Sequence, residues 1–250
     1  MSDFEEPHIS VVIRAYNEAE QLNELLCSIK SQSYPQNKIQ IIVVDNGSTD
    51  TTSEVAEMHG AEIVKLDQKQ FTYPKSLNLG FAQANNEIVF SFSGHCLLKG
   101  NQYFSTVVRH FKDSKNAGVS GSTLPRKPCT ISEILITYPF YWRHLLKGVR
   151  IEKAAKSGTL QNVNSAIRKS LWLQHQFNEN WAAGGEDVEW ATWAISNGKT
   201  LLFDPHMTVY HSHHLGIIGL YKQFKHWNTL LVPRKFVPEE LDFRKDIHRS

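Results

Sequence analysis

Residues 39–50 read IQIIVVDNGSTD, an apolar run that ends at Asp45 and passes into a turn rich in glycine and hydroxyl groups. The run is β-branched and nearly uninterrupted, which is typical of a strand covered on both faces. A similar run, ISVVI at residues 9–13, precedes it, and leucines at helical spacing lie between the two. The order strand, helix, strand, helix predicts an α/β fold whose mostly parallel sheet binds ligands at the carboxyl ends of its strands.

The same alternation continues along the chain. Strands are predicted at residues 61–66, 87–92, 160–167 and 199–203, and helices at residues 75–84, 169–176 and 186–197. Asn17 is predicted to cap the first helix together with Glu20. Residues 125–158 have weak periodicity, three prolines and mixed basic and aromatic residues, so we expect a lobe or long connection that forms an acceptor wall.

Composition narrows the function classes. The 250 residues include 27 Lys and Arg against 25 Asp and Glu, and this net charge of +2 argues against a nucleic-acid partner. Three scattered cysteines give neither a disulfide framework nor a CxxC zinc module, which favours a reducing compartment. Residues 1–7 are acidic and lack the pattern of a secretory signal, and no apolar run approaches the roughly 20 residues of a membrane span. We therefore expect a cytoplasmic protein.

Asp45 is the first candidate for a ligand contact. Its carboxylate should project over the carboxyl edge of the sheet, where it can accept the imide N–H of a pyrimidine. The alternative is a structural one, because Asp, Asn, Ser and Thr are all good helix N-caps. Both interpretations hold together if Asp45 contacts the base while Ser48, Thr49 or Asp50 caps the helix.

Histidines follow two of the predicted strands. Ser93-Gly94-His95 comes just after the fourth strand, and His211-Ser212-His213-His214 follows the strand-like residues 208–210. Imidazoles at these positions are candidate metal ligands, since alternation on an extended segment puts His211 and His213 on one face. The alternatives are an ordinary hydrogen-bonding histidine at position 95 and a surface cluster without function at positions 211–214.

The stretch Gly184-Gly185-Glu186-Asp187 combines two glycines with two acids at the start of a helix. The glycines let the backbone approach a ligand, and the helix dipole favours an ionised carboxylate. An ionised, positioned carboxylate is what a general base for a sugar hydroxyl requires. Helix capping by the acids is the alternative, although a cap does not need the glycine pair.

Together these residues resemble the inverting nucleotide-sugar glycosyltransferases of family 2, which have the GT-A fold. The resemblance rests on five segments in order, VVIRAYNE (11–18), IVVDNGSTD (42–50), KSLNLG (75–80), EIVF (87–90) and GEDVEW (185–190). It implies one GT-A domain at residues 1–214, with a nucleotide-binding half at 9–100 and an acceptor-binding half at 101–214. Residues 215–250 then form a helical C-terminal extension.

The resemblance also implies roles for individual residues. Asp187 takes the place of the catalytic base, Glu186 positions the acceptor, and His211 supplies a histidine to the metal. Donor binding is implied for the first loop, the second strand end, the third helix and the fourth strand end, that is for Arg14, Ala15, Tyr16, Asn17, Glu18, Asp45, Asn46, Lys75, Asn78, Ser93, Gly94 and His95.

One segment departs from the family. Ser93-Gly94-His95 stands where an Asp-x-Asp triplet is usual, so the carboxylate that commonly bridges metal and ribose is missing. The polypeptide N-acetylgalactosaminyltransferases use Asp-x-His, and a bacterial rhamnosyltransferase-like subset carries Ser-x-His with an Arg in the first loop, which this sequence resembles most. Either His95 and His211 hold Mn2+ or Mg2+, or catalysis is metal-independent and Arg14 or Lys75 neutralises the leaving group.

Three other protein classes are alternatives. A nucleotidyltransferase or dinucleotide oxidoreductase should carry a glycine-rich loop after the first strand, and residues 14–17 contain no glycine. A catalytically silent module that binds nucleotide or glycan is the remaining alternative, against which Asp187 argues. The resemblance implies a UDP- or dTDP-sugar donor and a glycan or lipid-linked glycan acceptor in bacterial surface polysaccharide synthesis. Peripheral contact of the basic, aromatic tail with the inner membrane face, and a homodimer, are left open.

Overall fold

The computed structural model of the protein describes residues 5–229. Within this range the chain forms a nine-stranded sheet flanked by helices. The strands are β1 Ile9–Ala15, β2 Ile39–Asp45, β3 Glu62–Lys65, β4 Ile88–Ser93, β5 Leu97–Leu98, β6 Asn116–Leu124, β7 Arg150–Ile151, β8 Asn164–Arg168 and β9 Thr200–Tyr210. Their order is β3-β2-β1-β4-β8-β6-β9-β5, and β7 also pairs with β9. The α/β class is therefore as predicted.

The first half of the sheet brings three strand ends to one edge. Strands β3, β2, β1 and β4 are parallel neighbours. In this register Ala15 lies opposite Asp45, and Arg14 lies opposite Ser93. Because parallel strands end at the same edge, the loops after β1, β2 and β4 meet there.

The second half of the sheet is mixed. Strand β8 is antiparallel to both β4 and β6, whereas β9 is parallel to β6 and antiparallel to β5 and β7. Strand β9 is longer than the strand predicted at residues 199–203. It continues through two register shifts against β6 and ends at Tyr210. Its end therefore delivers His211 beside the end of β4.

Helices cover both faces of the sheet. They are α1 Ala19–Lys30, α2 Thr52–Met58, α3 Tyr73–Gln83, α4 Tyr103–Val108, α5 Ile131–Lys147, α6 Lys169–Gln174, α7 Glu186–Ser196 and α8 Ile217–Thr229. Alternate residues of β1 enter two separate cores. Val11 and Ile13 pack in the core that contains α1, and Val12 packs in the core that contains α3 and α7. This division is what a strand covered on both faces requires.

The predicted cap of α1 is wrong. The residue before the helix is Glu18, and its side chain makes no capping hydrogen bond. Asn17 instead has a left-handed backbone with φ of 51°. Its Oδ1 accepts hydrogen bonds from the backbone N–H of Thr49 at 2.7 Å and of Asp50 at 3.3 Å. Asn17 thus joins the loops after β1 and β2 rather than starting the helix.

Residues 125–158 hold a helix that the sequence pattern did not predict. Helix α5 spans 17 residues and begins with a capping box, in which Thr130 accepts from the backbone of Glu133 while the Glu133 carboxylate accepts from the backbone of Thr130. Pro139 lies inside it, and the helix ends at Gly148. The expected long connection is therefore a wrong prediction.

The C-terminal extension is partly helical. Helix α8 begins after Leu215, which is buried, and it also buries Leu220 and Gln223. Residues 230–250 of the predicted extension lie outside the described residues. Across residues 5–229, no helix combines the length and the apolar character needed to cross a bilayer.

Candidate active site

Three histidines form a compact cluster beside the ends of β4 and β9. The Nε2 atoms of His95 and His211 are 2.8 Å apart, and the two rings stack with centroids 4.5 Å apart. His213 closes the group, with its ring edge-on to His211 at 4.6 Å. One nitrogen from each ring lies within 4.8 Å of the others. The pairing of the two histidine segments is the arrangement that a metal site requires.

Glu18 orients His95 from the side opposite the cluster. Its Oε1 lies 2.6 Å from His95 Nδ1, and Ser93 Oγ is 3.1 Å from the same nitrogen. A carboxylate at Nδ1 holds the proton there and leaves the Nε2 lone pair available to a metal. The resemblance assigned Glu18 to donor binding, whereas the structure shows a carboxylate that supports a histidine.

Gly94 makes this contact sterically feasible. A Cβ at position 94 would lie 2.5 Å from Glu18 Oε2 and 3.1 Å from the Cβ of Ala15. The backbone N–H of Gly94 donates to the backbone carbonyl of Arg14 at 2.8 Å, which fixes the turn against β1. The glycine of Ser-Gly-His therefore leaves room for the Glu18 carboxylate.

The surroundings of His211 favour its neutral form. Burial lowers the pKa of His211 well below its ordinary value, and the positive charges of His95, His213, Arg14 and Arg126 lower it further. Arg126 is held close by donating to the backbone carbonyl of His95 at 2.7 Å. Neutral imidazole is the form that binds metal ions.

The donor set discriminates between the two expected ions. Mg2+ strongly prefers oxygen ligands, whereas imidazole nitrogens bind transition-metal ions. The cluster presents three imidazoles, with the Glu18 carboxylate bonded to His95. Of Mn2+ and Mg2+, the residues present therefore fit Mn2+.

Arg14 connects the histidines to the acids of α7. The side chain is buried, its guanidinium lies 5.3 Å from the ring centre of Tyr73, and Nε has no hydrogen-bond partner within the described part of the chain. Its charge acts on His211 and also on Glu186 and Asp187, where it favours the ionised carboxylates. Arg14 therefore lies within electrostatic reach of His211 and of both acids.

The two acids occupy different environments at the start of α7. Gly184 and Gly185 precede them with φ of 112° and 93°, backbone values that favour glycine, and Gly185 is the N-cap of α7. Glu186 is buried and accepts from Asn162 at 3.1 Å through Oε1, while Oε2 has no partner among residues 5–229. Asp187 is half-buried and accepts from the backbone N–H of Val188 at 2.8 Å.

Burial raises the pKa of both acids. For Asp187, burial and the charge of Glu186 raise the pKa to about 8, against the weaker opposing effect of Arg14. Burial raises the pKa of Glu186, which Arg14 and Asn162 oppose. A carboxylate that takes up a proton near neutral pH is suited to general base catalysis.

Asp45 lies at the end of β2 with both carboxylate oxygens already in use. Oδ1 accepts from the backbone N–H of Ser48 at 2.9 Å, and Oδ2 accepts from Ser53 Oγ. A carboxylate offers about four acceptor positions, so each oxygen retains capacity for one more donor. Asp45 can therefore stabilise the local turn and accept a hydrogen bond from a further N–H group at the same time.

Two of the predicted donor residues also brace the fold. Asn46 donates to the carbonyl of Ala15 and accepts from the hydroxyl of Ser76. Asn78 accepts from Trp172 and from the backbone of Phe177 and donates to the carbonyl of Phe177. The amide groups of both residues thus support neighbouring elements, and their place in the donor cradle stays a prediction.

Lys75 and Tyr16 lie nearer the surface. Lys75, in the first turn of α3, donates to Gln70 at 3.1 Å. The hydroxyl of Tyr16 accepts from Gln68 at 2.6 Å. Neither contact engages the histidine cluster or the acids, so their part in donor binding stays a prediction.

An open cleft of about 450 Å3 adjoins the acids. Val188 and Glu189, which directly follow Asp187, lie in its lining, together with Ala155, Trp181, Thr192 and Trp193. Glu189 Oε1 is 2.9 Å from His175 Nε2, and the His175 ring stacks on Trp193 at 4.8 Å. Sequence reasoning missed this cleft, although the tryptophans that follow Asp187 at helical spacing were a usable signal.

Comparison with known proteins identifies the family. Residues 10–172 match the family described as glycosyl transferase family 2. The glycosyltransferase AglE of Haloferax volcanii is 38% identical over 205 residues, which make up 79% of this chain. The chain belongs to glycosyl transferase family 2. The aligned parts of this family 2 chain span only 41% to 64% of the length of three curated relatives.

Solved structures share the fold. The mannosyltransferase PcManGT of Pyrobaculum calidifontis, in complex with GDP-Man and Mn2+, matches 99% of this family 2 chain with a TM-score of 0.68 and 18% identity, over 71% of its own length. TarS 1-349 of S. aureus in complex with UDP-GlcNAc matches 83% with a TM-score of 0.59 and 16% identity, over 59% of its own length. The predicted GT-A fold is therefore confirmed, while the rhamnosyltransferase-like subset stays a prediction.

Proposed function

We propose that this family 2 chain is an inverting glycosyltransferase that moves a hexosyl or deoxyhexosyl group from a nucleoside-diphosphate sugar to an acceptor hydroxyl. The observation that carries the proposal is that Arg14, near the end of β1, lies within electrostatic reach of both Asp187 and His211, which belongs to the histidine cluster. Displacement of a diphosphate requires a general base on one side of the site, which takes the acceptor proton. It also requires a cationic region on the other side, which neutralises the diphosphate.

Asp187 acts as the general base in this reaction. The acceptor oxygen bonds to the anomeric carbon while the bond from that carbon to the diphosphate oxygen breaks with its electron pair. The hydroxyl proton passes to the Asp187 carboxylate. Attack opposite the departing diphosphate inverts the configuration of the anomeric carbon. The partnerless Oε2 of Glu186 is available to a second acceptor hydroxyl, which gives Glu186 a positioning role.

The leaving diphosphate is neutralised beside the histidine cluster. His95, His211 and His213 are the residues that would hold Mn2+, and the bound ion supplies positive charge to the developing diphosphate. Arg14 adds a fixed cation, and its unpaired Nε is available to a phosphate oxygen. Arg126 holds the His95 backbone in place.

Recognition of the nucleobase of the donor is assigned to Asp45. Its remaining acceptor capacity matches the imide N–H of uracil or thymine, so a UDP- or dTDP-sugar is the proposed donor. The complexes of the two solved relatives contain GDP-Man and UDP-GlcNAc, which support a nucleotide sugar as the class. The proposed acceptor is a glycan or lipid-linked glycan of surface polysaccharide synthesis, used at the inner face of the cell membrane.

A thermal-shift screen tests this proposal. The chain is titrated with UDP-, dTDP- and GDP-sugars, each with and without Mn2+, and release of the nucleoside diphosphate is then measured for every donor that binds. We expect Mn2+-dependent stabilisation by a pyrimidine donor and slow hydrolysis of that donor without an acceptor. Absence of stabilisation and turnover with every donor would exclude the enzyme, and binding without turnover would indicate a silent binding module.

A further inference from the structure

Helix α5 turns an apolar stripe outward. Ile131, Leu135, Trp142 and Leu146 recur at spacings that place them on one face, and they are 75%, 68%, 60% and 89% exposed. A helix on the surface of a globular protein normally turns such residues toward the core. Large exposed apolar surfaces mark contacts with a partner or a membrane.

The orientation of α5 is fixed by its opposite face. Tyr141 is buried, and its hydroxyl accepts from Lys99 Nζ at 2.6 Å. Glu133 is also buried, and Oε1 accepts from Ser212 Oγ at 2.6 Å and from the backbone N–H of Leu215 at 3.3 Å. These polar contacts anchor the helix, so the apolar stripe cannot turn inward without breaking them.

Helix α8 extends the apolar surface beyond the start of α5. Thr130, the N-cap of α5, donates to the carbonyl of Leu215 at 2.8 Å, just before α8 begins. Ile217, Ile218 and Tyr221 of α8 are exposed as well. Two neighbouring helices therefore present large apolar side chains to the surroundings.

The charge around the stripe has one sign. Residues 127–158 and 215–229 contain Lys127, Arg143, Lys147, Arg150, Lys153, Lys156, Lys222 and Lys225. Their two acids, Glu133 and Glu152, are both buried, and Glu152 pairs with Arg150 at 2.9 Å. Burial lowers the pKa of His144 in α5, and the charges of Arg150, Lys147 and Arg143 lower it further. The solvent-facing charge of both segments is thus basic.

We propose that α5 seats this protein on an anionic phospholipid surface, with the apolar stripe in the headgroup region and Arg143 and Lys147 on lipid phosphates. Tryptophan and leucine on one face with flanking Arg and Lys are the composition of a helix that lies in a membrane interface. Pairing of two copies through the same stripe would bring like charges together, which disfavours a dimer. This inference does not depend on the proposed reaction.

Vesicle binding of the full chain tests the proposal. The probe is co-sedimentation with phosphatidylcholine vesicles that contain or lack phosphatidylglycerol. We expect binding to the anionic vesicles that weakens as salt is raised. Leu146→Glu and Trp142→Glu should each reduce the partition coefficient by about tenfold or more, because each removes a large apolar group from the interface. Leu173→Glu is the matched control, since Leu173 is an exposed leucine on α6, and it should bind as the wild type does.

Three outcomes would overturn the proposal. They are no binding to the anionic vesicles, equal binding by Leu146→Glu and wild type, or a wild-type dimer in light scattering that Leu146→Glu dissolves while vesicle binding is absent. Hydrolysis of the nucleotide sugar in solution is measured for the same variants and should not change. The two assays therefore distinguish a failure of vesicle binding from a failure of the reaction.

Discussion

At the scale of single residues, Asp187 and Glu186 show how position decides chemistry. They are adjacent in sequence, yet Glu186 is buried and bonded to Asn162, whereas Asp187 is half-buried with its side chain bonded only to the next backbone N–H among the described residues. Burial raises the pKa of both acids, and the charge of Glu186 raises that of Asp187 further. The more accessible of the two is the one available to an acceptor proton.

Substitution of Asp187 tests its role as the base. Asp187→Asn keeps the size of the side chain but cannot accept the proton, so transfer should fall by about a thousandfold. Nucleotide-sugar affinity, measured by thermal shift, should change little. Asp113→Asn is the control, since Asp113 is exposed and accepts within a turn from Lys115. Transfer near the wild-type rate in Asp187→Asn would remove this residue from the mechanism.

The raised pKa of Asp187 gives a pH dependence with a definite sign. A base with a pKa of about 8 is protonated below that pH and active above it. We therefore expect kcat/KM to rise about tenfold per pH unit below pH 8 and to level off above it. The profile is measured between pH 6 and 9.5 with saturating Mn2+. A kcat/KM that is flat from pH 6 upward would contradict the assignment.

At the scale of elements, the histidine cluster depends on the turn after β4. Glu18, at the start of α1, reaches His95 across 77 positions of sequence, through the space beside Gly94. The carboxylate then fixes the ring nitrogen that faces His211. The histidine cluster therefore relies on the packing of α1 against the β4 turn as much as on its own side chains.

Gly94→Ala should loosen this support. The added Cβ pushes the Glu18 carboxylate away from His95, and Mn2+ affinity should fall by about 10- to 100-fold while the fold persists. Mn2+ binding is measured by electron paramagnetic resonance titration. Gly216→Ala serves as the matched control, because a Cβ there meets nothing within 4 Å. Equal Mn2+ affinity in the two variants would mean that Glu18 does not support the site.

The elements also show what sequence can and cannot predict. Strands β1, β2 and β4 follow from buried β-branched runs, because burial on both faces leaves a continuous apolar signal. Helix α5 was not predicted, because residues 125–158 contain three prolines and Pro139 lies inside the helix, a position that proline normally disfavours.

The residues of the candidate site also fall into those that the sequence predicts and those that it does not. Asp187, His95 and His211 were predicted because their segments follow strands or open a helix. The support by Glu18 and the bracing roles of Asn46 and Asn78 were not. Each of these depends on which side chains tertiary packing brings together, as when Asn78 bonds Phe177 across 99 positions.

At the scale of the whole molecule, the sheet unites sites that are distant in sequence. The order β1, β4, β8, β6, β9 carries His95 and His211 to one edge although 116 positions separate them. Arg14 lies within electrostatic reach of His211 and of Asp187 at the start of α7. Helix α5 braces the histidine segment through Glu133 and turns its apolar stripe outward.

The central claim is that Asp187 and the histidine cluster act on one bound nucleotide sugar from two sides. A crystal structure of Asp187→Asn with Mn2+ and the donor that gives the largest thermal shift tests it most directly. We expect an anomalous Mn2+ peak at His95, His211 and His213, with the diphosphate beside it and the anomeric carbon facing residue 187. Mn2+ bound elsewhere, or a donor whose sugar lies in a different pocket from residue 187, would contradict it.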